Sequence, residues 1–230
     1  MAPLDDPRLD NPVYEALGGT QARFAVVRGR ARRYEDDVAP FIAVPAAPSE
    51  QDWRDAADLV GPGGFAGVIH GGEIPGWKVV RTFVVAQMVG ERVAGAPAPE
   101  ALVLGSDDVP EMLALVAETE PGPFMNRTVE LGTYLGIRHE GALVAMAGER
   151  MRFDGWTEIS AVCTLPAHRG RGLAGRLTAA LIDGIERRHE RAFLHVLASN
   201  TAAIGLYERL GFRVRTTATM PLMTPDGGRV

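Results

Sequence analysis

His168-Arg169-Gly170-Arg171-Gly172-Leu173-Ala174-Gly175 joins a strand-like run to the most periodic helix of the chain. Upstream, Thr157 to Thr164 reads as a strand that Leu165-Pro166 ends. Downstream, Leu173, Leu177, Leu181 and Ile185 recur every four residues, with Ala174, Thr178 and Ile182 beside them, which is one apolar face of a helix. The run Glu186-Arg187-Arg188-His189-Glu190-Arg191 closes it with cations that suit the negative end of the helix dipole, and Ala192 to Ala198 follows as a buried strand. Strand, glycine turn, helix and strand make an α/β unit. Its turn is built for an anion: glycines let a ligand approach the backbone, the first N–H groups of the helix have no partner within it, and Arg169 and Arg171 add positive charge. A phosphate or pyrophosphate is the natural guest.

Working outward, Asp154-Gly155 is a two-residue hairpin signal, and Gly132 to Arg138, Ala142 to Phe153 and Thr157 to Thr164 read as three antiparallel strands. Before them, Asp108 and Glu111 have capping-box spacing with Pro110 in the first turn, which predicts a helix over Val109 to Glu118. After the unit, Thr201 to Leu210 is a second helix stopped by Gly211, and Phe212 to Leu222 a last strand. The order from residue 101 is α, β, β, β, α, β, α, β, an α/β class with a mixed sheet. Residues 1 to 100 are richer in Pro and Gly and predict a smaller α/β region: a short helix over Glu50 to Val60, a strand over Trp77 to Met88, and a linker from Ala94 to Pro99. We place a boundary near residue 100, giving regions 1–100 and 101–230.

The chain has 230 residues, so one large domain or two small ones fit its length. Its 24 Lys and Arg against 29 Asp and Glu argue against broad binding to nucleic acid. The basic run Arg28-Gly29-Arg30-Ala31-Arg32-Arg33 is followed at once by Glu35-Asp36-Asp37 and reads as a solvated face. The single cysteine, Cys163, excludes an intrachain disulfide, and the opening residues lack a secretory signal, which points to the cytoplasm. The most apolar window, Val79 to Val89, is interrupted by Arg81 and Gln87 and is far short of the roughly 20 residues that cross a bilayer, so no membrane segment is expected. His70, His139, His168, His189 and His195 show no paired metal spacing, and no metal is expected.

Gly170, Gly172 and Gly175 also spell the dinucleotide fingerprint within a strand–helix–strand unit. Against an NAD site, Leu165 to Arg169 separate strand and first glycine, and Ala198-Ser199-Asn200 offers no acidic ribose ligand at the tip of the second strand. The other reading rests on three motifs in order. Arg169 through Ala174 matches an (R/Q)xxGx(G/A) pyrophosphate loop, Glu158-Ile159-Ser160-Ala161-Val162-Cys163-Thr164 stands where a central strand belongs, and Asn200 through Leu206-Tyr207-Glu208-Arg209-Leu210-Gly211-Phe212 matches a closing helix. From about Ser106 to Phe212 the chain thereby resembles the Gcn5-related N-acetyltransferases (GNAT), specifically their FR47-like branch.

That resemblance implies a GNAT-like acetyltransferase fold in the C-terminal half and acetyl-CoA as co-substrate. The strand backbone at Val162, Cys163 and Thr164 would run beside the pantetheine arm, with groups of Val162 and Thr164 pairing to it. Arg169, Gly170, Arg171, Gly172, Leu173 and Ala174 would hold the pyrophosphate, and Asn200 belongs to the closing motif. Transfer goes to an amine of a small molecule or peptide. A lysine-like amine with pKa about 10 costs roughly 4 kcal/mol to deprotonate at pH 7, so a base is useful. Glu158 is the candidate, since two-residue alternation puts it on one face with Ser160, Val162 and Thr164; a salt-bridged strand carboxylate is the alternative. Tyr207 matches the family's general-acid tyrosine, against the alternative of a core aromatic, and the Val162 N–H could polarise the thioester carbonyl. The same alternation turns the Cys163 side chain away from the Glu158 face and makes it core, and His195 reads as structural. Glu130 and Tyr134 are possible acceptor contacts, or ordinary loop and strand residues. Residues 1 to 100 carry none of these motifs and fit a decayed copy of the fold, a lid or a dimerisation piece, so a homodimer is possible. Binding of acyl-CoA without turnover, as a sensor, remains the second class of function.

Overall fold

The computed structural model describes residues 4–69 and 74–226, so His70 lies outside it. Among the described residues five α-helices, α1 (Pro12–Gly18), α2 (Glu50–Val60), α3 (Val109–Thr119), α4 (Leu173–Arg187) and α5 (Thr201–Arg209), accompany two sheets. The smaller sheet holds β1 (Ala25–Arg28), β2 (Ala31–Tyr34) and β3 (Ile42–Ala43). The larger holds β4 (Ala66–Gly67), β5 (Trp77–Gly90), β6 (Leu102–Leu104), β7 (Tyr134–His139), β8 (Ala142–Phe153), β9 (Trp156–Thr164), β10 (Arg191–Leu197) and β11 (Phe212–Pro225). Its order is β4-β11-β5-β10-β9-β8-β7-β6, and only β9 and β10 run parallel. This is an α/β fold with a mixed sheet.

The elements from residue 101 follow their local signals. The Asp154-Gly155 turn carries Gly155 at φ +78° and sets Phe153 opposite Trp156. On α4 the periodic residues Leu177, Leu181, Ile182 and Ile185 are all buried, packed with Ala145, Ala147, Ile159 and Leu194 on one face of the sheet. The capping box expected from Asp108 and Glu111 does not form at α3. Asp108 accepts from the Gly105 N–H at 2.9 Å, and both carboxylates grip Arg138 at 2.7 Å, because the half-buried end of β7 offers them a guanidinium. The helix is held instead by Met112 and Leu115, which pack under the sheet with Tyr134, Met146 and Cys163.

The sheet crosses the expected boundary at residue 100. β5 lies between β10 and β11, and its Ala86 and Met88 share the α4 core. On the opposite face, residues 4–44 pack Leu9, Phe24, Tyr34 and Phe41 over Val89, Met151, Trp156 and Phe193. The basic run of β1 and β2 is neutralised locally: Arg28 meets Asp58 at 2.8 Å, Arg30 meets Asp52 at 2.5 Å, and Arg33 pairs with Asp36. No helix of the described residues is long and apolar enough to cross a membrane.

Candidate active site at the split between two parallel strands

The site begins with one extra residue. Met146 pairs with Cys163 and Gly148 with Ser160, so a single residue of β8 faces both Ala161 and Val162. Ala161 takes φ +52°, the left-handed region, which makes it the inserted residue of a β-bulge. The bulge resets the alternation. Met146 and Gly148 share a face, so Ser160 and Cys163 do too, and Cys163 lies on the Glu158 side while Val162 and Thr164 turn toward α4. The expected common face of Glu158, Val162 and Thr164, and the expected turning away of Cys163, are both overturned for this reason.

The bulge also ends pairing with the neighbour. β9 and β10 bond from Trp156 opposite Arg191 to Ile159 opposite Leu194, and no further. Beyond that point His195, Val196 and Leu197 pair only with Gln87, Ala86 and Val85 of β5. The two strands therefore part, with the vertex at Ile159 and Leu194. Leu165 N–H donates to the Val144 carbonyl, so alternation in the antiparallel ladder directs the Cys163 backbone to Met146 and the backbone groups of Val162 and Thr164 into the split. Cys163 contributes no free backbone group there.

The glycine turn stands at the open end. Gly170 and Gly172 have φ +76° and +74°, values an L side chain resists, and a Cβ at Gly170 would meet nothing. Gly172 is the N-cap of α4 with no side chain capping it, and the first bond into the helix comes from Arg176 N–H at 3.1 Å. The N–H groups of Gly172, Leu173, Ala174 and Gly175 are therefore unclaimed. Arg169 Nε donates to the Thr164 carbonyl at 3.2 Å, which ties the turn to the strand end, and Arg171 forms no salt bridge among the described residues. Backbone donors at a positive helix end form an anion cradle.

At the vertex lies a buried charge cluster. Glu158 is fully buried, and Arg150 grips both its oxygens at 2.8 Å. His195 Nδ1 lies 2.8 Å from Oε1 of the same carboxylate. Burial pushes the Glu158 carboxyl up, but the charge and hydrogen bonds of Arg150, with His195, outweigh it and hold it well below the usual range. The far side of His195 fixes its tautomer. Gln87 Nε2 donates to the Leu9 carbonyl at 2.7 Å, and Gln87 Oε1 accepts from Arg215 at 3.0 Å, so the amide presents an N–H to His195 Nε2 at 3.1 Å. Nε2 is then an acceptor, and the proton sits on Nδ1, donated to Glu158. His195, read as structural, is thus the immediate partner of the candidate base. The signal was available: on β10, Phe193, His195 and Leu197 share the face opposite to Leu194 and Val196.

Tyr207 on α5 is buried with its ring edge-on to Phe212 at 6.0 Å, and its hydroxyl has no hydrogen-bond partner among the described residues. Burial, and next the Cys163 thiol, push it up to about 12, so it stays protonated at neutral pH. The Cys163 thiol is itself pushed up to about 11 by burial, against the hydrogen bond from Thr119, and is a poor nucleophile. Asn200 serves α5, its side chain accepting from the Ala203 N–H at 3.1 Å. Glu130 is on the surface, bonded to Arg127 at 2.8 and 2.9 Å. Tyr134 is interior, its ring against Gly148 and Phe124.

This arrangement is that of a family. The chain belongs to the GNAT acetyltransferase family: it is 39% identical, with a TM-score of 0.86, to a crystal structure of a GNAT-family acetyltransferase from Novosphingobium aromaticivorans, covering 96% of this chain and 99% of that one. The model of the FR47-like proteins matches residues 134–220. Among curated relatives, the chain is 38% identical over 105 residues to an L-methionine sulfoximine/L-methionine sulfone acetyltransferase of Salmonella typhimurium, 43% of this chain and 60% of that one. It is 35% identical over 92 residues to a ribosomal protein bS18-alanine N-acetyltransferase of Escherichia coli, 40% of this chain and 62% of that one. The chain thus spans about three fifths of the length of these curated relatives.

Proposed function

We propose that the protein is an N-acetyltransferase that moves the acetyl group of acetyl-CoA directly to an amine of a small molecule or peptide. The observation that carries this reading is the continuity of backbone groups left out of the sheet, from Val162 and the Thr164 N–H in the split to the unclaimed N–H groups at the start of α4. An extended amide-containing arm ending in a pyrophosphate complements such a path. It places a thioester near the vertex, where the Val162 N–H is positioned to polarise its carbonyl.

The chain's own groups then divide the proton work. The amine nitrogen bonds to the thioester carbon, the carbon–sulfur bond breaks, and Tyr207 gives its proton to the leaving sulfur. The amine's proton passes by way of water to the candidate base Glu158, which His195 holds by its Nδ1–H. Residues 4–44 form the wall on the acceptor side, since Phe41 lies over the Arg150 guanidinium at 4.9 Å and Leu9 holds Gln87. The relatives that act on methionine sulfoximine and on the alanine of bS18 support an amine acceptor of either size.

One observation favours a second reading, binding of acyl-CoA without turnover: both Glu158 oxygens are already engaged by Arg150 and His195. Release of free thiol from acetyl-CoA, followed with L-methionine sulfone and with an alanine-initiated peptide among a panel of amines, separates the two. Amine-dependent release supports transfer. Tight acetyl-CoA binding with no release from any amine supports the binding module.

A further inference from the structure

Two histidines far apart in sequence meet beside the glycine turn. His139 ends β7, and His168 ends the short 3-10 turn Pro166–His168 that leads into Arg169. Their rings stand edge to face with centroids 5.0 Å apart. The register explains the meeting: Ala145 lies opposite Thr164, so the turn before Ala142 runs alongside the residues that follow β9. His139 is exposed and His168 half-buried, and neither has an ion pair or side-chain hydrogen bond among the described residues.

The charge around them is one-sided. Arg169 and Arg171 follow directly, neither in a salt bridge among the described residues, whereas the basic run at Arg28 to Arg33 is matched by Asp36, Asp52 and Asp58. The nearest carboxylate in sequence, Glu140, forms no ion pair or hydrogen bond with either ring. Donors without acceptors, next to an anion cradle but outside it, suit a second anion carried by the same ligand. Two imidazoles this close can both donate to one phosphate group, whose several oxygens accept from different directions.

We propose that His139 and His168, with Arg171 beside them, form a phosphomonoester site that takes the 3′-phosphate at the nucleotide end of the cofactor. The inference rests on the acetyl-CoA reading above. With pantetheine in the split and pyrophosphate on the start of α4, the nucleotide end of the cofactor continues past the loop that His168 leads directly into. The site separates coenzyme A from nucleotides that carry only a pyrophosphate.

The test is calorimetric titration of the whole protein with coenzyme A and with dephospho-coenzyme A, which lacks only that phosphate, at one fixed ionic strength. Wild type is expected to bind coenzyme A about 10- to 100-fold more tightly, the range of one or two charge-assisted hydrogen bonds. In the double variant His139→Ala/His168→Ala, coenzyme A falls toward the dephospho form while the affinity for the dephospho form holds. Equal affinities in wild type, or a variant that weakens both nucleotides alike, overturn the proposal and leave the acetyl-CoA reading standing. If wild type binds neither nucleotide, the acetyl-CoA reading fails and this inference with it.

Discussion

Replacing Arg150 with Leu tests the charge cluster under the vertex. The substitution leaves Glu158 fully buried with the His195 Nδ1–H at 2.8 Å and a long contact from the Met151 N–H at 3.4 Å as its remaining donors. Breaking a buried pair from one side costs about 3–5 kcal/mol, and those two donors favour the lower end. Replacing both partners, Arg150→Leu/Glu158→Leu, removes the orphaned charge and should recover all but about 1–2 kcal/mol. The loss must also depend on pH. In the wild type Glu158 is held well below the ordinary glutamate pKa of about 4.3, so the pair's contribution is complete above that pH and disappears only as pH falls through the lowered folded value. Without Arg150, the two largest lowering influences are gone and burial works against only the donors that remain, so the carboxyl rises and protonation relieves the variant early. Urea unfolding at pH 7 and pH 4.5 should therefore show a large deficit that shrinks in acid. A deficit below about 1 kcal/mol at pH 7, or one that does not change with pH, would refute the reasoning.

Three further outcomes follow from the geometry. A Cβ at Gly148 would sit 2.2 Å from Tyr134 ring carbons, so Gly148→Ala should cost about 1–3 kcal/mol in urea unfolding, with wild-type stability as the contrary result. Tyr207→Phe removes a hydroxyl with no protein partner among the described residues; it should keep both stability and acetyl-CoA affinity while thiol release falls about a hundredfold, and unchanged release would take Tyr207 out of the reaction. Gly172→Glu places a negative side chain at φ +74° on the anion cradle and should weaken acetyl-CoA about a hundredfold or more with the circular dichroism spectrum retained; undiminished affinity would mean the ligand sits elsewhere.

Much of the C-terminal half was legible because its signals are local. The four-residue repeat of α4, the Asp154-Gly155 turn and the glycines at φ +76° and +74° each act over a few residues. The bulge at Ala161 was not, because alanine gives no hint of a positive φ and strict alternation then puts Val162 and Thr164 on the wrong face. Nor was the charge cluster. Arg150 reads as one polar residue in a long strand, and only pairing across β8 and β9 brings it to Glu158. The N-terminal strands are two to four residues long, too short for periodicity to declare itself, and the place of β5 between β10 and β11 is a matter of long-range pairing.

The central claim is that the split and the glycine turn together take acetyl-CoA. Calorimetric titration of the purified protein with acetyl-CoA, and separately with NAD, tests it before any acceptor is known. The account predicts micromolar or tighter binding of acetyl-CoA, about −8 kcal/mol, with no heat from NAD. Binding of NAD without acetyl-CoA would contradict it and assign the glycine turn to a dinucleotide.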